Sequence, residues 1–148
     1  MKFSPILDIT LRWLVVLLGI VSFFLLLRGH DQPGGGFSGG LLAASAVTII
    51  TITYGTDAGR KFLHFQPLSY IATGLLFASL AGLFQWNAPY MSSIWIKLPI
   101  GFTTLKLGTP LLFDLGVYVV VLGVISLFVL ELESVMNKPE HKKGKEEL

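Results

Sequence analysis

The chain has 148 residues, 53% of them hydrophobic and only 14% charged, with a formal net charge of +2. A soluble globular domain usually carries about a quarter charged residues, so this balance, with a mean hydropathy of +0.72, places the chain among integral membrane proteins. The absence of cysteine excludes a disulfide framework, thiolate metal ligands and a thiol nucleophile, and the basic excess is small and shared between the C-terminal tail and the rest of the chain, so no nucleic-acid surface is implied.

Four apolar runs follow one another, at residues 9–27, 37–54, 68–86 and 111–130. Each is near the ~20 residues that cross roughly 30 Å of hydrocarbon. The alternation of barrel strands is missing, so the spans are expected to be helices. The expected fold is an all-α integral membrane protein with four transmembrane helices and short loops. Its transmembrane domain covers residues 1–136, followed by a disordered, charged tail over 137–148.

The first run is longer than the apolar core of a signal peptide, contains Arg12, and ends at Leu27-Arg28 with no small-residue cleavage site. It reads as a retained span. Asp8 and Arg12, spaced i, i+4, read as an interfacial ion pair. Between the first two runs lies Gly29-His30-Asp31-Gln32-Pro33-Gly34-Gly35-Gly36-Phe37-Ser38-Gly39-Gly40, in which six of twelve residues are glycine. His30 and Asp31 either hold this turn through hydrogen bonds or relay protons. The glycines permit positive φ and leave backbone groups open to an ion or a partner. A phosphate cradle would need Lys followed by Ser or Thr where Phe37-Ser38 stand, so nucleotide binding is excluded.

The second run places Gly36, Gly40 and Ala44 along one face with Thr48 a turn further. The hydroxyls of Thr48, Thr51, Thr53 and Thr56 either contact ions or bond back to their own helix. The loop at 55–67 carries Asp57, Arg60, Lys61 and His64. The third run has Gly74, Ala78 and Gly82 in a small-residue stripe, suited to close packing within this bundle or against another subunit. The segment at 87–110, with Ile94-Trp95-Ile96 and Leu98-Pro99-Ile100, reads as interfacial or re-entrant.

In the fourth run Asp114 and Tyr118 share a face, while Gly116 and Gly123 lie roughly opposite, at ~100° per residue. A buried acid avoids lipid and a glycine groove receives a helix. Four helices alone are not expected to cover both faces, which points to a larger assembly. Asp114 either caps its helix N-terminus, where the macrodipole favours a carboxylate, or serves as a cation ligand or proton-path group.

Lys2, Arg12, Arg60, Lys61, Lys138, Lys142, Lys143 and Lys145 fall on one side of a four-span topology, and Arg28, Lys97 and Lys106 on the other. Eight against three places both termini in the cytoplasm, with Trp13, Tyr54 and Tyr70 near the inner boundary and Trp86, Tyr90 and Trp95 near the outer one. No Ser-His-Asp, paired-carboxylate or His-cluster arrangement appears, so no enzyme activity, metal site or cofactor is expected.

Two segments carry a resemblance. The string His30-x-x-Pro33-Gly34-Gly35-Gly36-Phe37-x-Gly39-Gly40 and the segment Gly108-Thr109-Pro110-Leu111-Leu112-Phe113-Asp114-Leu115-Gly116-Val117-Tyr118 together resemble the B subunits of Mrp-type multi-component cation/proton antiporters, the MnhB/MrpB family. The resemblance covers roughly residues 5–133. It implies a plasma-membrane, multi-pass protein that works with other membrane subunits to exchange cytoplasmic Na+ for external H+. The large antiporter subunits of that family carry Lys and Glu inside their helices. This chain has no Lys buried mid-helix, so it is expected to contribute to assembly and to the cation-translocating module. His30, Thr109, Asp114 and Tyr118 are then placed at an ion path or subunit contact. Two alternatives stay open: the equivalent component of a membrane-bound hydrogenase or redox-driven ion pump, and a purely structural assembly component with no ion contact.

Overall fold

Helix α1 (Pro5–Arg28) and helix α2 (Gly35–Tyr54) are followed by a short helix α3 (Thr56–Leu63), helix α4 (Pro67–Leu83), a two-stranded hairpin of β1 (Trp95–Ile100) and β2 (Thr103–Gly108), and helix α5 (Thr109–Met136). The structure is a computed structural model that describes residues 4–28, 35–83, 95–100 and 103–137. The expectations for His30, Asp31, Pro33, Gly34, Trp86, Tyr90 and the tail from Lys138 onward lie outside the described residues, as do the packing around Gly82 and the side-chain setting of Trp95.

The helix starts follow from proline. Pro5 and Pro67 open α1 and α4, and Pro110 is the second residue of α5. These are positions where a missing N–H costs nothing and φ is already set. Between α2 and α3 stands Gly55 at φ 92°, with nothing within 4 Å of where a Cβ would lie, so glycine is needed there for backbone conformation and not for space. The α3–α4 corner is tighter. The Phe65 N–H donates to the Leu63 carbonyl at 2.8 Å around His64 at φ 64°, the geometry of a γ-turn, and the Tyr70 hydroxyl donates to the same carbonyl.

Among the described residues three helices, α1, α2 and α5, with 24, 20 and 28 residues, are long and apolar enough to cross a membrane. Helix α4 has 17 residues and no charge. Two expectations need correction. The chain is nearly all helical but not all-α, because residues 95–108 form an antiparallel hairpin that aligns Ile96 with Leu107 and Leu98 with Leu105. The period of two was present in both strands, but Pro99 and the short length masked it. The loop at 55–67 is likewise not plain loop, since Gly59 and Leu63, four apart, turn one face of α3 into the bundle.

Helix α5 lies between α2 and α4, and glycine sets the spacing on both sides. On one side a Cβ on Gly36 would collide with the Asp114 carbonyl oxygen, and one on Gly40 would stand 2.8 Å from the Tyr118 carbonyl oxygen. On the other side a Cβ on Gly116 would stand 2.6 Å from the Ala78 amide, one on Gly74 2.7 Å from the Gly116 carbonyl oxygen, and one on Gly123 3.0 Å from the Pro67 carbonyl oxygen. Real side chains do not approach backbone so closely, so these helices touch main chain to main chain. The expectation that four helices could not cover both faces of α5 is therefore overturned: α2 and α4 of the same chain cover them. Helix α1 packs chiefly against α2 and reaches α5 at Tyr118, and Val47, Leu63 and Leu130 form the buried apolar cluster at the α3 end.

The contacts also fix direction. Gly36 meets Asp114 and Gly40 meets Val121, so α2 and α5 run parallel; Ile71 meets Gly123 and Ala78 meets Gly116, so α4 runs antiparallel to α5. Helix α4 thus carries the chain back along the bundle between two helices that run the same way.

Replacing Gly36 or Gly116 with Ala should destabilise the bundle by about 1–3 kcal/mol, the usual cost of overpacking. Gly19 has nothing within 4 Å, so Gly19→Ala should be neutral or slightly stabilising. Thermal unfolding of the three variants in detergent checks this, and equal midpoints would mean that the helices part without cost.

Candidate functional site

The two segments singled out in the sequence, near Gly36 and near Asp114, meet at the shared start of α2 and α5. Gly35, Gly36, Gly39 and Gly40 are buried in the first turns of α2, while Phe37 points outward and is exposed. Asp114 is half-buried, and its carbonyl lies under Gly36. Helix α5 begins at Thr109, so Asp114 is its sixth residue and no acid lies in the first turn. The unsatisfied N–H groups of the helix start belong to the residues before it. Thr109, also half-buried, is the first residue of the helix.

One turn below Asp114, Tyr118 reaches across to α1. Ser22 of α1, fully buried, donates its hydroxyl hydrogen to the Gly39 carbonyl of α2 at 2.8 Å. The Ser22 and Tyr118 hydroxyl oxygens are 2.8 Å apart. A serine has a single hydroxyl hydrogen, and Ser22 gives it to Gly39, so Tyr118 must donate to Ser22. The relay Tyr118 to Ser22 to the Gly39 carbonyl ties α5, α1 and α2 at one buried point. Ser22 was missed because a lone serine in an apolar run normally bonds back within its own helix. Its only sequence signal was being the one hydroxyl between Leu11 and Leu27.

That local rule holds elsewhere. Thr48 donates to the Ala44 carbonyl and Thr51 to the Val47 carbonyl, each at 2.8 Å, so both hydroxyls are committed to their own helix. The small residues Gly74, Ala78, Gly116 and Gly123 lie at the α4–α5 contact described above, away from Asp114 and Tyr118. Asp8 and Arg12 pair at 2.8 Å at the opposite end of the bundle, where the Tyr54 hydroxyl also donates to Asp8 Oδ1 at 2.5 Å. Among the described residues no group of three or more His, Cys, Asp or Glu is arranged to hold a metal ion.

Comparison with known proteins bears on the same region. A family model described as a domain related to the MnhB subunit of Na+/H+ antiporters matches residues 6–127. The chain is 38% identical to the Na+/H+ antiporter B subunit of Bacillus subtilis over 109 residues, which is 71% of this chain and 76% of that one. It is 36% identical to the Na+/H+ antiporter B subunit of Alkalihalophilus pseudofirmus over 115 residues, 75% of this chain and 79% of that one. It is 34% identical over 142 residues to a Rhizobium meliloti protein named as a probable K+/H+ antiporter A/B subunit, covering 92% of this chain but only 14% of that much longer one.

Ser22→Ala should cost about 1–3 kcal/mol by leaving the part-buried Tyr118 hydroxyl without its acceptor, and Tyr118→Phe less, since the Ser22–Gly39 bond survives. Ser126, buried on α5 with no hydrogen-bond partner for its hydroxyl among the described residues, is the contrast: Ser126→Ala should be neutral or stabilising. Unfolding midpoints, with the Ser22–Tyr118 double variant less destabilised than the sum, check the coupling.

Proposed function

The chain belongs to the family of the MnhB subunit of Na+/H+ antiporters, and from that premise we propose that it is the B subunit of a multi-component cation/proton antiporter. It works beside other membrane subunits and contributes the contact between the α2 and α5 starts to the cation-translocating module. The observation that carries this reading is the meeting of the two segments. Residues 36–40 and 114–121, far apart in the chain, share a face-to-face contact through bare backbone.

Such a contact suits a module that must hold one carboxylate in a fixed place at membrane depth. Asp114 sits where α5 is locked to α2 by Gly36, and one turn on the Tyr118–Ser22–Gly39 relay prevents α5 from rotating. A carboxylate inside a membrane span is costly unless it has a task or a partner. In this reading Asp114 lies on the ion path or at the contact with the neighbouring component that carries it, with Thr109 at the same end of the bundle. Catalysis has no part in it.

The same reading includes four spans. If α2 and α5 both cross the bilayer in the same direction, the chain has to return between Tyr54 and Thr109, and α4 is the helix that lies antiparallel along α5. Seventeen residues at ~1.5 Å each span about 26 Å, near the lower limit for a crossing. The excess of Lys and Arg then puts both termini and α3 in the cytoplasm and the hairpin outside.

Asp114→Asn should abolish or strongly reduce cation/proton exchange in inverted vesicles while the subunits still co-purify. Normal exchange in that variant would leave Asp114 with a packing role alone, and loss of co-purification would make the chain a scaffold. The chain lacks cysteine, so topology is directly testable. Lys61→Cys and Lys97→Cys should react with a membrane-impermeant maleimide from opposite sides. Labelling from one side would remove α4 from the spans.

A further inference from the structure

At the end of the bundle where α1 begins and α2 ends, a groove of about 390 Å³ opens between α1, α2 and α3. Its walls are aliphatic, from Val15 and Val16 of α1 to Ile49 and Ile50 of α2, and its mouth is polar, formed by Asp8, Arg12 and Tyr54. Arg12 Nη2 lies 2.8 Å from Asp8 Oδ2, and the Tyr54 hydroxyl holds Asp8 Oδ1 at 2.5 Å. The Arg12 side chain is 76% exposed and that of Asp8 31%.

We propose that this groove is a site for a zwitterionic glycerophospholipid with a primary ammonium headgroup: one acyl chain lies along the aliphatic walls, the phosphate on Arg12 and the ammonium on Asp8. The polar mouth coincides with helix termini, at the depth where headgroups meet hydrocarbon, and the aliphatic part runs inward from it. From Asp8 to Val16 the groove follows α1 for about 12 Å, so a stretch of extended hydrocarbon can lie along it with its polar end at the mouth.

Charge selects the headgroup. Arg12 and Asp8 cancel, so a purely anionic headgroup that reaches the guanidinium also meets a carboxylate within hydrogen-bond range. A phosphate joined to an ammonium matches both charges, in antiparallel order. The guanidinium has five N–H donors and stays largely exposed, and a carboxylate offers about four acceptor positions, so the pair can accept a headgroup without breaking apart. A trimethylammonium has no N–H to donate to Asp8, which disfavours a choline headgroup against ethanolamine.

Such a lipid site requires membrane insertion of α1 and α2 but not transport, so its test reads lipid and not exchange. The native assembly containing this chain is purified in mild detergent, stripped of lipid, and titrated with dioleoyl phosphatidylethanolamine, phosphatidylglycerol or phosphatidylcholine. Binding is read by native mass spectrometry. One phosphatidylethanolamine per copy is expected, about tenfold tighter than either competitor, the scale of one charge-assisted hydrogen bond. Asp8→Asn, which keeps the shape and removes the charge, should erase the preference over phosphatidylglycerol. Val15→Trp, which fills the groove and leaves the ion pair, should lose the lipid. Equal binding of the three lipids by the unaltered protein, or retention in Val15→Trp, overturns the proposal, as does a photocrosslinker at Ile50 that labels another polypeptide instead of lipid.

Discussion

The missing Cβ atoms along α5 and its neighbours are the constraint on which the bundle depends. In lipid there is no hydrophobic gain from burying one apolar surface against another, so helices associate through close packing and polar contacts. Here Gly36 and Gly40 bring α2 onto one side of α5, and Gly74, Gly116 and Gly123 bring α4 onto the other. Helix α5 is consequently the centre of the bundle, and α1, α3 and the hairpin are added to its flanks. A side chain on either glycine face would move a whole helix and not merely a neighbour.

Polar groups complete what packing begins. Most hydroxyls in these helices are neutralised locally, as with Thr10, Ser45, Thr48, Thr51 and Ser79, each bonded to the carbonyl four residues earlier. Such bonds satisfy the group but bind no helix to another. Ser22 is different, since its hydrogen goes to α2 and its oxygen accepts from Tyr118 of α5. In an apolar medium a directional bond of this kind defines rotation and register, which van der Waals contact between smooth glycine faces leaves loose. The glycines set how near the helices stand, and the Ser22–Tyr118 pair sets how they are turned.

Much of this was legible in the sequence. Length and hydropathy located α1, α2, α4 and α5, with the end of α5 six residues short, and the spacing of Asp114, Tyr118, Gly116 and Gly123 divided α5 into the two faces that the structure occupies. What covered those faces was not legible, because small-residue stripes mark close approach without naming the partner. The two faces of α5 were therefore assigned to outside partners, although α2 and α4 of the same chain cover them. The partnership of Ser22 was also hidden, since a hydroxyl bonded within its helix and one bonded across helices have the same local sequence. The hairpin and α3 escaped because each is short: six-residue strands interrupted by Lys and Pro, and an eight-residue helix with Gly in its middle, hold only two or three repeats of their pattern.

The parallel course of α2 and α5 has a consequence for how the protein is made. Gly36 is synthesised long before Asp114, and the slot that receives α5 lies between helices already present in the chain. Until the last helix enters, the bare backbone faces of α2 and α4 have only lipid against them, and Ser22 lacks its tyrosine. The native bundle is therefore closed from its C-terminal end, in a single wedge-like step. A chain cut short before residue 109 would retain α1, α2 and α4 yet none of the contact that joins its two characteristic segments. For a protein destined for a larger assembly, that makes the entry of α5 and readiness to dock the same event.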